Sequence, residues 1–326
     1  MLRKSIYWPK AKDVEYHEED TGQPKDNDIL IENHYSLVSQ SSEREWLEND
    51  RSHVVLGTTF PFIPGYSSVG YVKAIGASVS GFEVGDKVIG APVYGAHSNL
   101  TYVKQQDVYH VPENVHLDDA VFYNLGMTAI YTLQNSGLKL GHSIALIGQG
   151  VVGQIATQVA KASGFHPIVT FDLEENRRQR ALENGADYAL DPSDAAAIED
   201  LIKKLAGGVD AAIDMSGSNA GMNLAIHLTK TLGTTVFCTG NNDPQLLNYG
   251  EIFIKCLTVK GDFVNTQMAL QRKCINTFLW LLSTGTIQVP DHENTIYEPT
   301  EANIKKIYGR VLAKDRTLNN PIFKWN

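Results

Sequence analysis

The stretch from Ser143 to Ala160 leaves the chain few ways to fold. Ile144 to Ile147 is a short apolar run with β-branched residues, bounded by Gly141 and Gly148, and it reads as a buried parallel strand. Gly148-x-Gly150-x-x-Gly153 follows at once. Val152, Ile155, Ala156, Val159 and Ala160 then recur at three- and four-residue steps, which puts them on one face of a helix. Strand, glycine turn and helix in that order make a cradle for a pyrophosphate. Gly148 permits the tight turn, Gly150 lets the backbone come close, and Gly153 lets helix pack on strand. The helix start, with Val151 and Val152 in its first turn, offers unpaired N–H groups and a partial positive charge.

A second strand, Pro167 to Phe171, ends at Asp172, 19 positions after Gly153. A carboxylate there accepts hydrogen bonds from both ribose hydroxyls of an adenosine and repels a 2′-phosphate, which favours NAD(H) over NADP(H). Arg177, five residues on, carries a basic group to the same neighbourhood; with Arg178 it is the one feature that speaks for NADP(H).

At 326 residues the chain has room for two domains, each with its own core. Its net charge of −9 gives no reason to expect nucleic acid or an anionic membrane as a partner. Cys238, Cys256 and Cys274 form no CxxC, and three is an odd number, so a reducing compartment is the simpler expectation. The N-terminus lacks the apolar core of a signal peptide, and no run approaches the ~18 apolar residues of a membrane span. The expected location is the cytoplasm.

Residues 1–119 are β-rich, with strand-like runs at Asp28 to Glu32, Ser68 to Lys73 and Lys87 to Gly90. Gly85-Asp86 lies between apolar segments as a hairpin signal. A short helix is expected from about Ser42 to Asn49, capped by Ser41 or Ser42. From 120 to 264 strands and helices alternate. Ala120 to Gln134 is a helix, and Glu174 to Asn184 another, ended by Gly185. Ser193 caps a third, Val209 to Asp214 is a buried strand and Asn219 to Lys230 a helix. Thr234 to Thr239 and Leu257 to Lys260 are the last strands. Such alternation means a doubly wound parallel sheet, an α/β fold. Gln267 to Leu282 and Glu301 to Leu312 are helical, and Asn320 to Trp325 a closing strand. This tail, 265–326, is too short for a core of its own and is expected to join residues 1–119.

Together these residues resemble the medium-chain dehydrogenase/reductase family. The resemblance runs through Pro64 to Gly70, Gly85-Asp86, Ala96-His97, Thr128-Ala129, the glycine turn, Gly185 to Asp187, Val209 to Asp214 and Glu301-Ala302. It implies a GroES-like β-barrel catalytic domain, with a Rossmann domain inserted before its last segment and the active site in the cleft between them. Thr128 and the strand-end residues Ser216 and Gly240 would then join Gly148, Gly150, Val151, Val152, Gly153, Asp172 and Arg177 around the cofactor. The family's last Rossmann strands often pair across a two-fold axis, so Leu257 to Lys260 points to a homodimer.

The family divides by zinc. Its alcohol dehydrogenases hold a catalytic zinc with Cys, His and a third Cys or acid. Those positions fall here on Gln40, Tyr66 and Asn124, all poor zinc donors. The cysteine lobe for a structural zinc is missing, so no zinc is expected. Val38 to Arg44 and Pro64 to Gly70 resemble a zinc-free branch that includes bacteriochlorophyllide dehydrogenases, with Ser41, Ser42 and Ser67 where that branch has Gly, Thr and Glu. Without a metal, hydrogen-bond donors must stabilise the alkoxide-like oxygen that hydride transfer leaves. Tyr66 is then the candidate proton donor and Ser42 the relay, with Gln40 and Asn124 beside the substrate. The alternative is that Tyr66 fills the vacated volume and water protonates the substrate. His97 reads as a structural hydrogen-bonder, and Glu43 as an ion-pair or turn-capping residue. The expected activity is hydride transfer between NAD(H) and a secondary alcohol or ketone. Reduction of a conjugated carbon–carbon double bond and non-catalytic dinucleotide binding are the alternatives.

Overall fold

The computed structural model describes residues 1–48, 59–240, 244–263, 268–292, 295–315 and 317–326. Its elements in chain order begin with β1 (Leu2–Tyr7), β2 (Glu15–Asp20), β3 (Asp28–Leu37), α1 (Gln40–Leu47), β4 (Ser68–Ile75) and β5 (Lys87–Gly90). There follow β6 (Leu100–Lys104), β7 (Val108–His110), α2 (Leu117–Ala120) and α3 (Tyr123–Asn135). The alternating part comprises β8 (Ile144–Ile147), α4 (Val151–Ala162), β9 (Ile168–Phe171), α5 (Glu175–Glu183), β10 (Tyr188–Leu190) and α6 (Ala195–Lys204). It continues through β11 (Val209–Asp214), α7 (Asn219–Leu228), β12 (Thr229–Phe237), α8 (Tyr249–Ile254), β13 (Thr258–Gly261) and α9 (Met268–Ser283). The chain closes with β14 (Ile296–Tyr297), α10 (Glu301–Leu312) and β15 (Ile322–Lys324).

Two compact units result: residues 1–123 with 291–326, and residues 124–290. The first is the GroES-like lobe. Its main sheet runs β14-β15-β3-β4-β5-β7, with β6 also on β3. At ten residues β3 is long enough to take two neighbours end to end on one side. Asp28 to Glu32 pair with β6, and Tyr35 to Leu37 with β15. One core lies beside this sheet, where Ile6, Trp8, Val38, Trp46, Leu47, Ile304, Ile307, Tyr308 and Phe323 pack together. A second, of Ile29, Ile31, Val72, Val88, Val103 and Val108, fills the rest of the lobe.

The second unit is the Rossmann lobe. Its six strands are all parallel, in the order β10-β9-β8-β11-β12-β13. The order reverses at β8, so the crevice for a dinucleotide opens at the carboxyl ends of β8 and β11. Strands β8 and β9 are fully buried, as their unbroken apolar runs require.

Several details differ from the sequence expectation. The chain leaves the second unit at residue 290, not 264, so α9 belongs to the Rossmann lobe. Cys274, Phe278 and Leu279 on α9 are buried, and the Phe278 ring packs where a Cβ on Gly126 of α3 would stand. An apolar helix joins whichever core has an open face, and chain length does not say which. Helix α1 starts at Gln40 with Ser39 as its N-cap, ahead of Ser41 and Ser42; the expected end at Asn49 lies outside the described residues, as does Gln267. Asp194, not Ser193, caps α6, accepting from Ala197 N–H at 3.0 Å. The helix expected from Ala120 splits into α2 and α3, and α7 passes directly into β12 at Thr229. The Gly85 turn (φ +98°) feeds β5, which pairs with β4 and not with the Phe82 segment.

Candidate active site

The glycine turn has the geometry of a phosphate cradle. Gly148 has φ +96°, and a Cβ on Gly153 would stand 2.1 Å from the Gly148 carbonyl oxygen, a backbone atom that cannot move aside. The turn that leaves β8 and the first turn of α4 therefore touch backbone to backbone. A buried polar network holds the turn from beneath. Gln149 is fully buried; its Oε1 accepts from Thr157 Oγ1 at 3.0 Å, and its carbonyl accepts from Gln154 Nε2 at 3.0 Å. The first N–H groups of an α-helix such as α4 have no partner within the helix.

Asp172 stands at the end of β9, 8% exposed. One carboxylate oxygen accepts the Gln149 N–H at 2.7 Å and the other the Glu174 N–H at 2.9 Å. Arg177 lies 3.7 Å away, while the Arg178 guanidinium is turned to the carbonyls of Asp172 and Leu173 at 2.9 and 2.8 Å. The carboxylate thus ties the glycine turn to the next strand and keeps lone pairs for further donors.

At the end of β11, Asp214 is fully buried, and that burial raises its pKa against the hydrogen bonds it accepts. Those come from Ser216 N–H and Oγ at 3.1 and 2.6 Å and from Gly217 N–H at 3.2 Å. Asp214 therefore shapes the Ser216 loop, and Ser218 is the cap of α7. On α3, Thr128 Oγ1 donates to the Asn124 carbonyl at 2.9 Å. Gly240 follows β12; its neighbour Asn241 lies outside the described residues.

In the first unit Ser42 and Tyr66 come together, with Tyr66 Oη 3.4 Å from Ser42 Oγ and Ser39 Oγ 3.5 Å from the latter. The Tyr66 ring packs on Trp46 at 5.4 Å, and its carbonyl accepts from Tyr123 Oη at 2.7 Å. Burial raises the phenol pKa; hydrogen bonding from Ser39 and Ser42 opposes this, and the Glu43 charge adds to it. The phenol therefore carries its proton throughout the neutral range and can donate it. Gln40 Nε2 donates to the Leu318 carbonyl at 2.6 Å, which anchors the start of α1. Asn124 belongs to the second unit.

As a zinc ligand set, these residues do not fit. Zinc takes thiolate, imidazole or carboxylate, whereas Gln40 offers only a neutral amide, whose Nε2 donates to a carbonyl, and Tyr66 a protonated phenol. Among the described residues, one trio of His, Cys, Asp or Glu has its ligand atoms close together: Asp118, Asp119 and His292. Its members are half-buried, and His292 Nε2 stands 3.6 and 3.8 Å from the two carboxylates, the spacing of a surface ion pair.

Both lobes match known families. Residues 25–133 match the alcohol dehydrogenase GroES-like domain, and residues 151–280 the zinc-binding dehydrogenase family. The chain belongs to the medium-chain dehydrogenase/reductase superfamily. One curated relative in this superfamily, (R,R)-butanediol dehydrogenase of Bacillus subtilis (strain 168), is 24% identical over 289 residues, spanning 79% of this chain and 83% of that protein. D-xylulose reductase A of Aspergillus niger is 25% identical over 270 residues, spanning 73% and 75%. The crystal structure of 2R,3R-butanediol dehydrogenase from Bacillus subtilis superposes with a TM-score of 0.83 at 21% identity, covering 99% of this chain and 100% of that one. At such identity the structural likeness carries the fold alone.

The connection among the buried residues behind Ser42 and Tyr66 leaves little trace in the sequence. Glu43 and His97 are both fully buried and face each other at 3.1 Å, with Tyr308 Oη 2.6 Å from Glu43 Oε2. The turn-capping reading of Glu43 is met, since it accepts the Ser39 N–H at 2.8 Å. The contact with Tyr308 carries no local signal, because that residue lies 265 positions away.

Proposed function

We propose that this protein is an NAD(H)-dependent oxidoreductase that interconverts a secondary alcohol and a ketone without zinc. The observation that carries the reading is a protonated phenol, Tyr66, 3.4 Å from the Ser42 hydroxyl, at the positions where the superfamily's zinc enzymes keep a metal ligand and a proton-relaying hydroxyl. When bound, NAD(H) supplies or accepts the hydride. Tyr66 then donates its proton to the developing alkoxide-like oxygen in the reductive direction, and Ser42 relays a replacement proton to the phenolate. In oxidation the same two groups take the proton away. Gln40 and Asn124 are assigned to the substrate side, and Thr128, Ser216 and Gly240 to the nicotinamide end of the cofactor.

Asp172 supports NAD(H). Its carboxylate is held by backbone donors where a 2′-phosphate would have to come, and Arg178 is turned to carbonyls. The names of the two curated relatives, a butanediol dehydrogenase and a D-xylulose reductase, favour a small secondary carbinol or its ketone as substrate. The Val38 to Arg44 and Pro64 to Gly70 segments favour the zinc-free branch of the superfamily. A homodimer is supported by β13, an edge strand of its sheet, with exposed apolar side chains at Leu232, Phe253, Ile254 and Val259 nearby. Three free thiols agree with a cytoplasmic, reducing setting, and among the described residues no helix is long and apolar enough to cross a membrane.

Turnover on a panel of secondary alcohols and ketones, with metal analysis of the same preparation, tests this. Tyr66→Phe is expected to lower kcat by about 10²-fold with NADH binding unchanged. Stoichiometric zinc, or an unchanged rate in Tyr66→Phe, would overturn the mechanism.

A further inference from the structure

The buried hydrogen-bond chain behind Ser42 and Tyr66 runs in one direction. Trp325 Nε1–H donates to Ser36 Oγ at 2.9 Å, and Ser36 Oγ stands 2.7 Å from His97 Nδ1. His97 Nε2 lies 3.2 and 3.1 Å from the two oxygens of Glu43. The same carboxylate receives the Ser39 N–H at 2.8 Å and the Tyr308 O–H at 2.6 Å. A neutral imidazole protonated at Nε2 and an ionised Glu43 satisfy every one of these contacts. Trp325 donates to Ser36, Ser36 donates to Nδ1, and Nε2–H, Ser39 and Tyr308 all donate to the carboxylate. A carboxylate is thus kept wholly inside the lobe by donors arranged around it. A buried pair of this kind is weak evidence for stability and better evidence for a requirement of geometry.

That geometry concerns two segments. Glu43 is the residue after Ser42 on α1. His97 lies directly under the turn that presents Tyr66. A Cβ on Gly65 would meet the His97 ring at 2.6 to 2.8 Å, and Gly65 has φ +85°. The backbone adds two bonds, from Ala96 N–H to the Gly65 carbonyl at 3.0 Å and from His97 N–H to the Pro64 carbonyl at 3.1 Å. Any displacement of the imidazole therefore moves Tyr66, and any displacement of the carboxylate moves Ser42.

We propose that Glu43 and His97 form a positioning clamp that joins the helix bearing Ser42 to the turn bearing Tyr66 and sets the separation of their two hydroxyls. This rests on the functional reading of Ser42 and Tyr66. The clamp joins the two segments through an internal carboxylate–imidazole contact. Tyr308 and Trp325 extend it to α10 and to the end of the chain. Neither Glu43 nor His97 touches reacting atoms.

The test uses Glu43→Gln and His97→Gln, each alone and with Tyr66→Phe. Each single variant is expected to lose about 10²-fold in kcat while the Kd for NADH stays within twofold, since misplacement of a reacting group by about 1 Å has that effect. Adding Tyr66→Phe is expected to cost less than threefold more, because the phenol is already out of place. Val103→Ala, in the other core of the same lobe, serves as a destabilised control with normal kcat. A lowered melting temperature with normal kcat, or losses that multiply with Tyr66→Phe, would overturn the clamp. Should the Glu43 variant fail to fold, Tyr308→Phe removes one donor only, and a kcat fall of about fivefold or more is expected from it; an unchanged kcat there counts against the clamp. Should wild type turn over no substrate, the functional reading falls and the clamp is read by ¹³C-tyrosine NMR. The Tyr66 signal, assigned with Tyr66→Phe, is expected to shift in His97→Gln and not in Val103→Ala; an unshifted signal in His97→Gln overturns the clamp.

Discussion

Replacing Asp172 with Asn tests how the glycine turn is held. The change keeps the shape and removes the charge. In the wild type the two carboxylate oxygens face two backbone donors, Gln149 N–H at 2.7 Å and Glu174 N–H at 2.9 Å. An amide has one acceptor oxygen and one NH₂, so in either orientation one N–H meets another donor. The side chain is 8% exposed, and water cannot readily replace the lost bond. Leaving such a group unsatisfied costs about 1–3 kcal/mol, and the other hydrogen bond loses its charge assistance. We take about 2 kcal/mol, which for a lobe of this size is roughly 4–8 °C in Tm. If the turn that meets Asp172 is also the cofactor cradle, NADH affinity falls at least tenfold, equivalent to about 1.4 kcal/mol. NADPH affinity falls less, because the charge opposing a 2′-phosphate is gone. Thermal unfolding and fluorescence titration with both cofactors read these effects. A Tm within 1 °C of wild type together with an unchanged NADH to NADPH ratio would refute the reasoning.

Three further outcomes are expected. Gly153→Ala forces a methyl to within 2.1 Å of the Gly148 carbonyl oxygen, so it should cost about 1–3 kcal/mol and abolish measurable NADH binding in a titration. Asp210, at the start of β11, is held down to about pKa 2; burial works against this, but Lys230 and Ser143 outweigh it. A depressed carboxyl pKa contributes stability above the unfolded value, lost as pH falls from about 4 towards 2, so Asp210→Asn should flatten the acid limb of unfolding in that window, by about 1 kcal/mol after solvent screening. Val259→Lys puts a charge on the β13 edge and should convert a dimer to monomer in analytical ultracentrifugation; a wild type that sediments as a monomer sinks the dimer proposal.

The Rossmann lobe was the more legible of the two because its signals are local. Ile144 to Ile147, the three glycines and the apolar face of α4 sit within one continuous stretch, and each element's period declares it. Strand β10 has no sequence signature, because three half-buried residues carry no period, and the apolar face of α9 does not name the lobe it packs on. In the GroES-like lobe the strands β1, β2, β6 and β7 alternate weakly, and what orders them is pairing between distant segments, such as Ser5 opposite Ser98.

By itself the sequence determined that a glycine turn lies between a buried strand and an amphipathic helix, that Asp172 ends the next strand, and that amide and phenol stand at positions 40 and 66. Those are matters of residue type and short spacing, which covalent geometry and periodicity turn directly into structure. Only the tertiary structure decided that Ser42 and Tyr66 meet, and that Glu43 finds His97 54 positions away and Tyr308 265 positions away. A buried carboxylate can be ionised only where the fold surrounds it with donors, and no local pattern records which distant residues supply them.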